Sequence, residues 1–277
     1  MAILAEMDSL FLHSHPLSTF FIMFFSVYLA AYLIVFRNWG SNHRKEATSC
    51  FMSLFHGSPA VIMAIHALLN SKNSRDFASA NSALHDRVLE FSMAYFLMDL
   101  LHYLVFVPHD VLFILHHLAT LYVLATCRYV VHHGAYGILL LLILAEITSP
   151  VQNTWSIARF RKVDVPAAAK LYEFLSPRFY VFYSVVRGVL GPICVFKMVV
   201  FFVSGAASAL LHLMYATVTQ QMDGSHLSGG FSNLAADPVI QGAYQLRQVY
   251  DTDFALAVVC NTILSRIKDF LQFQLSL

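Results

Sequence analysis

Charge is what this sequence has least of. Asp, Glu, Lys and Arg together make up 12% of its 277 residues, about half the share of roughly 25% found in an ordinary soluble domain. The few charges nearly cancel, at a formal net charge of +1, so no basic surface suited to a nucleic-acid partner is encoded. Cysteine is equally scarce. Cys50, Cys127, Cys194 and Cys260 are the four present, each inside an apolar stretch and none in a Cys-x-x-Cys pair, which argues against a disulfide framework or a structural zinc site. Basic residues are also missing ahead of the first apolar run, where Glu6 and Asp8 stand instead. The start of the chain therefore does not read as a cleavable signal peptide, and its first apolar run is expected to be a membrane span.

What is abundant is hydrocarbon. Hydrophobic residues reach 58%, with 24 phenylalanines, and the mean hydropathy is +0.64. That composition predicts an all-α polytopic membrane protein of six to seven spans. Leu17 to Phe36, entered through Pro16 and left at Arg37, is the first span. Ala47 to Leu69 is the second, interrupted by His56-Gly57-Ser58-Pro59. Val88 to Val107 and Val111 to Cys127 are the third and fourth, Gly134 to Ile147 the fifth, and Arg178 to Val203 the sixth. Beyond Ser204 the signal weakens, and 254–272 is at most a short or amphipathic last membrane helix. The organisation expected is an N-terminal span and loop over 1–47, a membrane core over 48–203 and a divergent C-terminal region over 204–277. Arg37, Arg44 and Lys45 after the first span and Arg159, Arg161 and Lys162 after the fifth share one side, which the positive-inside rule makes cytosolic.

The stretch Tyr95 to Tyr129 carries Asp99, His102, His109, Asp110, His116 and His117 where membrane helices ordinarily carry Leu and Val. An unpartnered polar group in hydrocarbon costs several kcal/mol, roughly, so ionisable residues at this depth mark a candidate functional site. Val107, Pro108, His109 and Asp110 form the only break between two apolar runs, which should pack as an antiparallel hairpin. Residues at equal distances from the turn then face each other, pairing His102 with His116 about 10 Å from the turn. A buried cluster of Asp99, His102, His116 and Thr120 is expected; His117, rotated by about 100° from His116, either joins it or faces a different neighbour. Such a cluster could also simply glue helices together.

Other polar groups fall at membrane depth. Glu146, followed by Ser149, Pro150 and Asn153, ends the fifth span and needs a cation or histidine beside it; Arg187 in the sixth is one candidate, unless it snorkels to the surface. The pair His132-His133 falls at an interface and is expected to be solvated.

Taken in order, these residues resemble a known family. His109-Asp110-x5-His116-His117-x2-Thr120 is similar to the Lag1 motif of TLC-domain proteins, named for TRAM, LAG1 and CLN8. Ser53-Leu54-Phe55-His56-Gly57, Asp99-x2-His102, Glu146-Ile147-Thr148-Ser149-Pro150-x2-Asn153 and Arg187-x3-Gly191-Pro192 extend the match over about Thr48 to Val203. The branch most similar is the TLC-domain-containing one found in plants and, in animals, as transmembrane protein 56. The resemblance implies a ring of helices, six in the core, around a lipid-sized cavity, mostly in the endoplasmic reticulum membrane. In ceramide synthases of this family an acyl chain moves from acyl-CoA to a sphingoid base at a histidine pair, matched here by His116 and His117. Where the synthases carry a second acidic motif, this chain has Ala145-Glu146-Ile147-Thr148-Ser149, with a single acid.

Two functions are therefore expected. The first is a protein that binds or senses membrane lipids or fatty-acyl chains, with His56, Thr120, Glu146, Asn153 and Arg187 lining the cavity, and contributes to lipid homeostasis. The alternative is an acyltransferase using acyl-CoA as co-substrate, with the pair His116 and His117 at the reaction centre and His116 as base or nucleophile, Asp99 or Glu146 orienting an imidazole, and His102 stabilising developing charge or positioning the acceptor. No bound cofactor or metal is called for: lipid hydroxylases use several HxxxH and HxxHH clusters, and only the pairs His116-His117 and His132-His133 occur.

Overall fold

The computed structural model describes residues 16–71 and 76–206. The expected last membrane helix over 254–272 lies outside the described residues, as does all of the C-terminal region beyond 206. Among the described residues six helices are long and apolar enough to cross a membrane: Pro16–Val35, His43–Asn70, Ala83–Phe106, Val111–Val131, Ala135–Arg161 and Pro166–Ala206. No strand occurs among the described residues; one isolated bridge joins Ala80 to His133. The chain divides into two compact units, Met1–Val195 and Phe196–Leu277, and the site described below belongs to the first. The described part of the second, 196–206, is helical.

Within the first unit α1 is Pro16–Ala30, α2 Ser41–Asn70, α3 Ala83–Phe106, α4 Val111–Ala125, α5 Ala135–Glu146, α6 Ser149–Arg161 and α7 Pro166–Val185. Wider π turns extend three of them: Ala31–Val35 after α1, Thr126–Val131 after α4 and Val186–Leu190 after α7. Turns of this kind widen a helix locally and often sit where a side chain must be re-aimed. Helix α3 is central. It packs against α1, α2, α4 and α5, and is buried along most of Val88 to His102. Phe24, Met52, Leu89 and Leu139, from α1, α2, α3 and α5, are the largest apolar side chains sealed in this core, with Phe24 and Phe91 rings 5.1 Å apart. Helix α6 packs on α2 and α7, and α4 and α7, each packed chiefly on one other helix, are edge helices of the unit. Both edges expose apolar side chains such as Leu112 and Val181, as expected of helices solvated by lipid.

The local chemistry explains where helices start and stop. Ser82 caps α3 reciprocally with His85, its hydroxyl accepting from the His85 N–H while its own N–H donates to His85 Nδ1. Asp110 caps α4 by accepting from the Phe113 N–H, so the residue read as part of the polar break is what starts the second arm of the hairpin. Gly134 opens α5 at φ 88°, a left-handed conformation that glycine adopts without strain.

Two expectations need correction. The His56-Gly57-Ser58-Pro59 sequence does not interrupt the second span: α2 runs unbroken from Ser41 to Asn70 with Pro59 inside it. Proline removes only the hydrogen bond to the Phe55 carbonyl, a loss that a membrane helix tolerates through local adjustment and neighbouring groups. The fifth span does not end at Ile147 either. A turn at Ile147 and Thr148 leads straight into α6, and the span reaches Arg161.

Candidate functional site

Two polar centres lie on α2 and α3, and a common register sets them apart. Ser49 and His56 are seven residues apart on α2; Ser92 and Asp99 are seven apart on α3. Seven residues are two helical turns, so each pair stays on one face and its members are separated by about 10 Å along the axis. Because the helices run antiparallel, Ser49 meets Asp99 at one level and His56 meets Ser92 at the other.

The first centre is closed. Asp99 is 4% exposed; its Oδ1 accepts from the Ser49 hydroxyl at 2.8 Å and its Oδ2 lies 2.9 Å from His117 Nε2. His117 Nδ1 lies 2.7 Å from the Phe113 carbonyl. A carbonyl can only accept, so Nδ1 carries a hydrogen, and one further proton is shared between Nε2 and Oδ2. Imidazolium with carboxylate and imidazole with carboxylic acid are both neutral overall, which is what lets the pair sit in the bundle interior. His102, also buried, is tied instead to α1, with Nδ1 2.8 Å from the Tyr28 hydroxyl.

The hairpin therefore meets differently from the expectation. His117, not His116, turns inward to Asp99, and His102 faces Tyr28. His116 is exposed. Its ring stands edge-on to that of His117, centroids 5.5 Å apart at 86°, and makes no hydrogen bond among the described residues. It lies close enough to Arg187 and Glu146 to feel their charges. Thr120 is half-buried and donates back to the His116 carbonyl, which satisfies its hydroxyl within α4 rather than within the cluster.

The second centre is open. His56 is fully buried, stacked on Tyr95 at 4.0 Å and 6°, with Nε2 3.2 Å from the Ser92 hydroxyl. Its other nitrogen, Nδ1, faces Glu146 Oε2 at 3.7 Å. That is ion-pair range but longer than a hydrogen bond, and both atoms are buried without a hydrogen-bond partner. Gly57 makes the approach possible: a Cβ there would lie 3.1 Å from Glu146 Oε2 and 3.1 Å from Ser149 Cβ. Asn153 donates to the Ser53 hydroxyl and to the Ser149 carbonyl, both at 2.8 Å, locking α6 to α2.

Arg187 neither snorkels nor pairs directly with Glu146. From the π turn after α7 it donates to the Thr148 hydroxyl at 3.0 Å, to the Ser149 hydroxyl at 3.4 Å, and closely to the Ala145 carbonyl. It thus caps the end of α5, where carbonyls lack partners and the helix dipole is negative. Its charge reaches Glu146 only at longer range. His132 and His133 are exposed, as expected.

Sequence reading missed Tyr28, Ser49, Ser92 and Tyr95 as partners of these groups. The seven-residue spacings on α2 and α3 were the available signal. Among the described residues no three His, Cys, Asp or Glu side chains converge as a metal-binding group. Chemically, the first centre holds a shared proton with no free lone pair to offer on His117, while beside it His116 presents an unbonded imidazole.

The family model of the TLC domain, named for TRAM, LAG1 and CLN8, matches residues 13–222, a range that includes every residue of both centres. A TLC domain-containing protein of Arabidopsis thaliana is 57% identical over 197 residues, covering 70% of this chain and 77% of the relative. No solved structure matches.

Proposed function

The chain belongs to the TLC-domain family, and from that premise we propose that this multi-pass membrane protein binds a membrane lipid beside His116 and so contributes to membrane lipid homeostasis. The observation that carries the reading is the His116 ring. It is exposed and free of hydrogen bonds among the described residues, and it stands edge-on to His117 of the Asp99–His117 pair. Lipid hydroxyl, amide or phosphate groups find donors and acceptors there, and the apolar surfaces of α4 and α7 suit acyl chains. The proposed location is the endoplasmic reticulum membrane, where the resembling proteins mostly act. The test is native mass spectrometry of the detergent-purified protein. A releasable lipid, retained by the wild type and lost in His116→Ala, supports the reading; equal retention by both overturns it.

The same ring favours a second reading, acyl transfer. A free nitrogen of His116 attacks the thioester carbonyl carbon of an acyl-CoA, the carbon–sulfur bond breaks, and the thiolate takes up the imidazole proton. A lipid amine or hydroxyl then displaces the imidazole, losing its own proton in turn. His117, with both nitrogens engaged, would hold the helix and electrostatically bias its neighbour. Incubation with a long-chain acyl-CoA followed by intact-protein mass measurement separates the readings. An acyl-sized adduct absent from His116→Ala favours transfer, and no adduct in any form leaves lipid binding alone.

A further inference from the structure

The end of the bundle where α1, α3 and α6 finish and α2, α4 and α7 begin holds its cations in an uncommon way. Arg44 stacks over the Tyr32 ring at 3.9 Å, Arg161 over Trp39 at 5.1 Å, and Lys162 over Tyr172 at 4.1 Å; Arg159 lies between Trp155 and Phe160, at 5.4 and 5.5 Å. Carboxylates are almost absent from this arrangement. The one ion pair at this end among the described residues is Arg161 with Asp164, long at 3.9 Å, and Arg161 Nε is buried without a hydrogen-bond partner. At the opposite end Arg128 also lies over a ring, that of Tyr129 at 5.1 Å, but there carboxylates take its edge: it bonds Glu90 Oε1 at 2.7 Å and lies 3.4 Å from Asp86 Oδ2.

The difference is chemical. An aromatic ring occupies the flat face of a guanidinium without using its N–H edge, whereas a carboxylate occupies the edge itself; Arg44 spends its Nε on the Tyr32 carbonyl at 2.7 Å, so it is a supporting charge and not a free fork. A guanidinium held by its face is pre-oriented for an anion, and the fork geometry matches phosphate in particular. These side chains sit where helices leave the membrane, at headgroup depth. The positive-inside rule makes that end cytosolic, the side where anionic lipids concentrate.

We propose that the aromatic-stacked cations Arg159 and Arg161, supported by Arg44 and Lys162, form a binding site for the phosphate of an anionic phospholipid in the adjoining leaflet. The site is separate from both buried centres and stands whether or not a lipid binds beside His116. Trp39 and Phe160 make it specific in shape: Trp39 of the α1–α2 connection meets Arg161, and Phe160 meets His43 in the first turn of α2, so separate segments must be together for it to exist.

The experiment is native mass spectrometry of the full-length protein in neutral detergent with added phosphatidic acid or phosphatidylcholine. The wild type should retain phosphatidic acid at least about five-fold over phosphatidylcholine. Arg159→Gln combined with Arg161→Gln should abolish that preference, and Arg87→Gln at the other end should leave it intact. Arg159→Lys with Arg161→Lys, which keeps the charge but loses the planar fork, should fall between. Melting temperatures recorded in parallel guard against misfolding. Equal retention of the two lipids by the wild type overturns the proposal, as does undiminished preference in the double Gln variant. Coenzyme A is the competing soluble source of phosphate: if it binds through these arginines while phosphatidic acid does not, the lipid assignment falls.

Discussion

The two buried centres use the same chemistry and finish differently. At the Asp99 level both carboxylate oxygens and both His117 nitrogens have partners within 2.9 Å. About 10 Å along the same two helices, His56 and Glu146 face each other at 3.7 Å with one atom each left unbonded. A saturated buried network stiffens the fold, and an unsaturated one stores a cost that structure alone does not require. The first centre therefore reads as a saturated support beneath the proposed site at His116, and the second as the less completely bonded of the two. Substitutions can break this contrast or sharpen it.

The largest effect is expected at Asp99. Asp99→Ala strands the Ser49 hydroxyl and His117 Nε2 together in the interior, and breaking a buried pair in this way costs about 3–5 kcal/mol. Unfolding of the purified protein in detergent, followed by circular dichroism against temperature, should show a drop of many degrees. A melting point within two or three degrees of wild type, at roughly the resolution of such a scan, would mean that the closed centre is not holding α2, α3 and α4 together. Asp99→Asn, which keeps the shape, should lie between.

Next in size is Gly57→Ala. The added methyl would lie 3.1 Å from Glu146 Oε2 and Ser149 Cβ, and overpacking of this kind costs about 1–3 kcal/mol. The relevant control is Gly188→Ala, where a Cβ meets nothing within 4 Å; only the first should lower the melting point. Glu146→Gln comes third. The oxygen it replaces has no hydrogen bond to lose, so stability should change by less than about 1 kcal/mol, clearly less than for Asp99→Asn. Should Glu146→Gln destabilise as much as Asp99→Asn, the second centre is as closed as the first and the contrast is lost.

Much of this was legible in the sequence, and the reasons for the misses are specific. Six spans follow from hydrocarbon length, and the hairpin turn from Pro108 alone. Which of His116 and His117 points inward could not be read, because α4 is apolar around its whole circumference. Lipid on one side and protein on the other exert the same preference, so hydrophobic periodicity carries no rotational information there. One residue is a rotation of about 100°, enough to exchange the two roles. The break expected at Pro59 rests on the carbonyl it frees at mid-membrane; inside an otherwise continuous α2 that is only one missing hydrogen bond. The Arg187 contact was hidden for another reason. Its principal partner is the Ala145 carbonyl, and a backbone group leaves no mark in the pattern of side chains.

The smallest expected change in stability belongs to the residue on which the proposed function most depends. His116 is exposed, its ring bonds to nothing among the described residues, and its contact with His117 is edge-on at 5.5 Å. Replacing it with Ala removes neither a buried hydrogen bond nor a filled core volume, so the cost should stay within about 0.5 kcal/mol. His117→Ala removes two hydrogen bonds at once and leaves Asp99 Oδ2 alone in the interior, so the neighbouring substitution should be far more damaging. The two variants, melted side by side and then assayed for retained lipid and for acyl adducts, separate support from function at adjacent positions. If His116→Ala keeps its stability and loses lipid or adduct, the open imidazole is the working group. Equal destabilisation by the two would mean that His116 is also a structural member of the bundle, and that loss of binding on its removal says nothing about its chemistry.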